Sequence, residues 1–184
     1  HMLHYYQTMT SHVTPNLPQC TITAYVDGLQ FGRYSSDTHR VQCLIPSLNS
    51  LSCHLKELTR QAQILESYMR CINHTSVNVT LHVYQMKFAC KLHENGTIDA
   101  YGEFAMDNQE VIIFDRENGV YVNVTQNAQC KTTLWNTLCA LNANQTKLYM
   151  EDQCIQHLKM YLPLLAMDLN RKGNTQYCND VFVV

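Results

Sequence analysis

The chain holds nine cysteines but no Cys-x-x-Cys pair, and that missing spacing argues against a zinc ribbon or a thioredoxin-like site. It also lacks any apolar run near the roughly 20 residues of a membrane span. An anchor, if there is one, belongs to a segment outside this sequence. Excess positive charge is absent too: 13 basic and 15 acidic residues leave a net charge of −2, which gives no footprint for nucleic acid or an anionic membrane. No nucleophile elbow, metal cluster or phosphate loop is present. His54 and Glu57, three residues apart on a helical stretch, read as a solvated surface pair. Catalysis, metal, cofactor and nucleic acid are therefore not expected.

What is present points to the secretory pathway. Cysteines at 20, 43, 53, 71, 90, 130, 139, 154 and 178 are many for a cytosolic chain of this size and favour disulfides. Five Asn-x-Ser/Thr sequons begin at Asn73, Asn78, Asn95, Asn123 and Asn144. Beside so many cysteines they favour a secreted or cell-surface glycoprotein from which a signal peptide has been removed. His1-Met2 reads as what a cloning site leaves behind. At 184 residues the chain fits one domain with a real core.

The stretch AYVDGLQFGRYSSD, residues 24–37, contains Asp-Gly between apolar runs, a hairpin signal because the turn needs positive φ. Strand-like pieces surround it: LHYYQTM, TITAYV, LQFGRY and VQCL. The period then changes. Leu48, Leu51, Leu55, Leu58, Ala62, Leu65, Met69 and Ile72 alternate spacings of three and four, which predicts a helix of about 39 Å from Ser47 to Ile72. Four more strands are predicted: TLHVYQMKFACKL, IDAYGEFAM, EVIIFD and GVYVNV. A second helical region carries Leu134, Leu138 and Leu141, then Met150, Cys154, Leu158, Tyr161 and Leu165, with a break at Asn142-Ala143-Asn144 and a bend or end at Pro163. The repeated order predicts an α+β fold, an eight-stranded antiparallel sheet with two long helices on one face. Its halves span 3–78 and 79–174, with 175–184 a tail or the start of a following domain.

In that arrangement the sequence resembles the α1–α2 platform of major histocompatibility complex class I and its relatives. The likeness rests on Leu3-His4-Tyr5-Tyr6, the hairpin Tyr25-Val26-Asp27-Gly28-Leu29-Gln30-Phe31, the sequon Asn73-His74-Thr75, Trp135, and the run from Asp152 to Leu162. The resemblance implies a disulfide between Cys90 and Cys154. If Cys90 points toward the helices, Tyr84, Met86 and Phe88 point with it, whereas Gln85 and Lys87 point away. Given the family topology, Cys43 could pair with Cys53, and Cys71 with Cys130 across the ends of the helices.

Tyr5, Tyr149 and Tyr161 match tyrosines that grip the peptide amino terminus in presenting relatives. They could equally pack between sheet and helices. The opposite end departs from the family, with Cys71, Lys131 and Leu134 where presenters carry a carboxylate clamp, and the segment between Phe31 and Asn73 is shorter. Tyr84, Met86 and Phe88 could line an apolar channel or fill it. The resemblance thus implies an immune-receptor ligand for natural killer or T cells, with a lean toward a viral immune-evasion decoy that does not require β2-microglobulin. The alternatives are a lipid- or peptide-presenting molecule and a viral protein that sequesters a cytokine.

Overall fold

The computed structural model describes residues 1–12, 15–48, 59, 60, 63, 81–107, 109–125, 136 and 143–179, with side chains of the last helix described through Arg171. Eight strands form a single antiparallel sheet. They are β1 (Met2–Thr10), β2 (Cys20–Val26), β3 (Leu29–Ser35), β4 (Arg40–Cys43), β5 (Val83–Leu92), β6 (Ile98–Met106), β7 (Glu110–Asp115) and β8 (Val120–Asn123). The order across the sheet is β4-β3-β2-β1-β5-β6-β7-β8. Two four-stranded meanders therefore meet where β1 lies beside β5, from Met2 opposite Lys91 to Thr10 opposite Val83.

The duplication read from the sequence extends to single side chains. Asp27 and Gly28 both take positive φ, 48° and 75°, as a two-residue hairpin turn requires. Asp27 accepts the Met2 N–H at 2.8 Å and lies 2.6 Å from the His1 ring. In the second half Asp107, with φ of 51°, accepts the Val83 N–H at 2.7 Å and lies 2.7 Å from the His82 ring. Each half thus ties the start of its first strand to its second hairpin through an aspartate that accepts a backbone N–H of that strand.

Alternation sends Leu3, Tyr5, Gln7 and Met9 of β1, and Tyr84, Met86, Phe88 and Cys90 of β5, into the buried face. Two departures from strict alternation have local causes. In β3 the register shifts opposite Ala24 and Tyr25, so Phe31 and Gly32 are both buried. This bulge aims Phe31 at the helix, where its ring centroid lies 4.9 Å from that of Tyr161. In β5 Ala89 is buried on the opposite face, between His4 and Tyr101 in register.

The helical layer is described in part. A 3-10 turn occupies Pro46–Leu48, and residues 59, 60 and 63 are helical, inside the predicted first helix. The rest of that helix lies outside the described residues. In the second region Asn136 is helical, and a helix at Ala143–Leu148 leads through a π-helical turn, Tyr149–Gln153, into a long helix at Cys154–Asn179. One boundary is corrected: Ala143 and Asn144 open a helix, residues 137–142 before it lie outside the described residues, and an irregularity falls later, at the π turn. Of the two outcomes expected at Pro163, a bend or an end, the end is excluded, because the helix continues to Asn179. Pro163 and Lys159 are both exposed, so the missing hydrogen bond to the Lys159 carbonyl falls on the solvent side of the helix.

Candidate ligand groove and recognition face

The groove floor is built from the buried faces of β1, β5, β6 and β7. Tyr5, Tyr84, Met86 and Phe88 are all buried. Phe88 meets Phe104, Phe104 meets Tyr121 and Tyr121 meets Phe114 in edge-on contacts at 5.1, 5.3 and 5.3 Å. Such pairs use the quadrupole of the rings and fix their relative tilt. The second helix closes on this floor with Ala143, Thr146, Met150, Cys154, Leu158, Tyr161 and Leu165, one continuous buried stripe. It can approach closely over β6 because Gly102 has no side chain: a Cβ there would meet the Phe114 Cβ at 3.0 Å and the Met150 Cε at 3.1 Å.

A disulfide joins Cys90 to Cys154, with Cα atoms 6.2 Å apart at a sequence separation of 64. Closing a loop of that length in the unfolded chain stabilises the fold by about 4 kcal/mol on a chain-entropy argument. It also pins the start of the long helix to the centre of the sheet. Directly before it, the π turn is held from the side: the Arg116 guanidinium donates to Glu151 at 3.3 Å and to the Ile98 carbonyl. One side chain thereby links the β7–β8 turn, β6 and the helix.

The predicted groove tyrosines divide. Tyr5 and Tyr161 are almost fully buried, and Tyr161 packs between Phe31 and His157. Tyr149 is half-buried on the π turn, and the guanidinium of Arg60, from the first helix, lies 4.7 Å from its ring centroid. This cation–π contact crosses from one helix to the other. No periodicity argument singles out Arg60, because a basic residue on a helix usually reads as solvated.

Of the other predicted sites, Asn95 and Asn144 are exposed and Asn123 is half-buried. Asn73, Asn78, Cys53, Cys71 and Cys130 lie outside the described residues, as do His54, Glu57, Lys131, Leu134 and Trp135. Cys43 is a thiol in this structure and donates to the Ile45 carbonyl at 3.2 Å. Among the described residues no group of three His, Cys, Asp or Glu could hold a metal ion, and no helix is long and apolar enough to cross a membrane.

The opposite face of the sheet carries Thr21, Thr23, Gln85 and Lys87, as alternation predicts, and also an aromatic cluster. His4 stacks on Tyr25, and Tyr6 meets both edge-on. Tyr6 and Tyr101 remain more than 40% exposed. Near Tyr101, the hydrogen bond from His93 holds the Asp99 carboxyl below the usual carboxylate range, and burial pushes the Tyr101 phenol up.

Residues 1–166 match the family model of the class I histocompatibility antigen, domains alpha 1 and 2. The chain belongs to this family. It is similar to zinc-alpha-2-glycoprotein of Bos taurus, 26% identical over 176 residues that cover 92% of this chain and 58% of that protein. Against major histocompatibility complex class I-related protein 1 of Rattus norvegicus the identity is 25% over 175 residues, covering 88% and 49%. Against MHC class I-like protein MILL1 of Mus musculus it is 25% over 183 residues, covering 94% and 45%. The chain thus spans about half the length of these relatives. The eight-stranded sheet, the long second helix and the Cys90–Cys154 bridge are the framework of an MHC class I-like platform.

Proposed function

We propose that this platform is a recognition surface of a secreted or cell-surface MHC class I-like protein, read by an immune receptor on natural killer or T cells, and that it neither catalyses a reaction nor presents conventional peptides. The observation that supports this reading is the burial of the apolar and aromatic side chains on the sheet face beneath the helices. Tyr5, Tyr84, Met86, Phe88 and Tyr161 are buried, and Arg60 reaches across to cover Tyr149. An occupied groove would need those groups to part, and each buried aromatic side chain that lost its packing would cost on the order of 1.5–3 kcal/mol.

The exposed side of the second helix then remains for a partner. It mixes Leu148, Asp152, Gln156, Lys159, Pro163 and Met167, a composition without the single-sign charge that would mark a polyelectrolyte partner. The altered clamp positions Cys71, Lys131 and Leu134, the shortened segment before Asn73, the sequons and the extra cysteines favour an immune-evasion decoy of viral type within this reading.

Two measurements test this. Capture of membrane proteins from leukocytes, identified by mass spectrometry, should return a natural killer or T cell receptor; capture of a soluble cytokine alone would overturn the receptor reading. Elution of the chain purified from mammalian cells should release no peptide set of common length and anchors and no single lipid class. Recovery of either would show an occupied groove.

A further inference from the structure

We propose that the Asn95-Gly96-Thr97 sequon is selectively N-glycosylated, in preference to the Asn123 and Asn144 sequons, because it alone of the three presents its acceptor amide in a reactive geometry. The sequon forms the β5–β6 turn, closed by the His93 N–H on the Thr97 carbonyl at 2.9 Å. Gly96 supplies the positive φ, 84°, that the turn needs, and the space beside it is open. Within the turn the Asn95 Oδ1 accepts two hydrogen bonds from Thr97, the backbone N–H at 3.0 Å and the side-chain hydroxyl at 2.7 Å. Asn95 Nδ2 has no hydrogen-bond partner among the described residues, and the side chain is exposed.

Glycosyl transfer to an asparagine needs a nucleophilic amide nitrogen. Nδ2 forms a bond to the anomeric carbon of an oligosaccharide, whose bond to a polyprenyl pyrophosphate breaks, the pyrophosphate leaving with the electron pair. One Nδ2 proton passes to a base of the transferase. As that proton leaves, negative charge grows on Oδ1, where the two Thr97 donors already point. This also gives the hydroxyl at the third sequon position its task.

The other two described sequons lack this arrangement. Asn123 is half-buried, its Nδ2 donates to the Thr125 carbonyl at 3.3 Å, and the Thr125 hydroxyl accepts the Val111 N–H at 3.2 Å. Asn144 is exposed, but the hydroxyl of Thr146 is buried against the Tyr121 hydroxyl at 2.7 Å. A glycan on Asn95 would project from the end of the sheet and leave the helix surface bare.

The inference rests on the secretory placement and not on the receptor. The chain is secreted from mammalian cells behind a cleavable leader, and each sequon is mapped by glycosidase treatment in heavy-oxygen water with peptide mass spectrometry. Near-complete labelling of Asn95, with little at Asn123 and Asn144, is expected. N95Q and T97V should each remove one glycan step on a gel, whereas T97S keeps it and N144Q leaves mobility unchanged. A bare Asn95 beside occupied Asn123 or Asn144, or equal occupancy at all three, overturns the selection. Absence of glycan from every sequon overturns the secretory placement as well, while receptor capture remains a separate readout.

Discussion

At the scale of residues, Thr146 shows how a polar group enters a platform core without harm. It occupies a position of the apolar stripe, four residues before Met150, and is buried with its hydroxyl 2.7 Å from that of Tyr121. Thr146→Val keeps the shape and removes the bond, so urea unfolding should show a loss of about 1–3 kcal/mol. Tyr121→Phe should remove the same interaction, and the double variant should cost less than the sum of the two. Additive costs would mean that the hydroxyls do not act on one another. Asp99 gives a pH signature at the same scale. Its folded carboxyl titrates below the usual carboxylate range, chiefly through the His93 hydrogen bond. The stabilisation is therefore fully present above the unfolded carboxylate pKa and is lost as pH falls through the depressed folded value. Wild type should exceed Asp99→Asn in thermal midpoint near neutrality, and the gap should close as pH falls through the depressed folded pKa of Asp99. A gap that stays constant to that pH would show that the carboxylate charge contributes nothing.

At the scale of elements, the strands were legible because each alternates and ends in a turn that its residues dictate, from Asp27-Gly28 to Asn95-Gly96. IDAYGEFAM and EVIIFD match β6 and β7 end to end. The second helix was legible as a stripe but not as a shape. A π turn leaves no mark in residue periodicity over one turn, since Met150 and Cys154 keep helical spacing through it. At Pro163 the choice between a bend and an end was illegible for a different reason: local chemistry forbids a hydrogen bond, whereas tertiary packing of Leu158, Tyr161 and Leu165 on either side keeps the helix in place. Proline inside a helix is about 3 kcal/mol less favourable than alanine, and this one is exposed, so Pro163→Ala should raise stability by roughly 1–3 kcal/mol. A variant that unfolds at lower urea than wild type would mean that the neighbouring turns have adapted to the proline. Contacts between elements were the least legible. Arg60 over Tyr149 and Arg116 between Glu151 and Ile98 join residues 89, 35 and 18 positions apart, and nothing local announces them.

At the scale of the whole molecule, the platform has a face covered by helices and a face that is not. Antiparallel sheets tolerate this when the open face is polar enough to stay wet. Here Thr21, Thr23, Gln85 and Lys87 meet that condition, and Lys87 faces Glu103 across the strands at 4.0 Å. The aromatic residues on this face partly cover each other, with His4 lying flat on Tyr25 and Tyr6 against both. Ala89 is already sealed by its register neighbours. Lys87 and Glu103 stand in register between Tyr6 and the exposed Ile113–Val122 pair, so the apolar groups of this face are interrupted by charge and do not form one continuous patch of several hundred Å². The platform should therefore refold and stay monodisperse alone. Co-refolding with β2-microglobulin followed by size exclusion should give two separate species, and Tyr6→Ser should leave secretion unchanged. A stoichiometric complex would reverse this, and its loss in Tyr6→Ser or Tyr101→Ser would place the partner on the open face and make the aromatic cluster an anchor for a second chain.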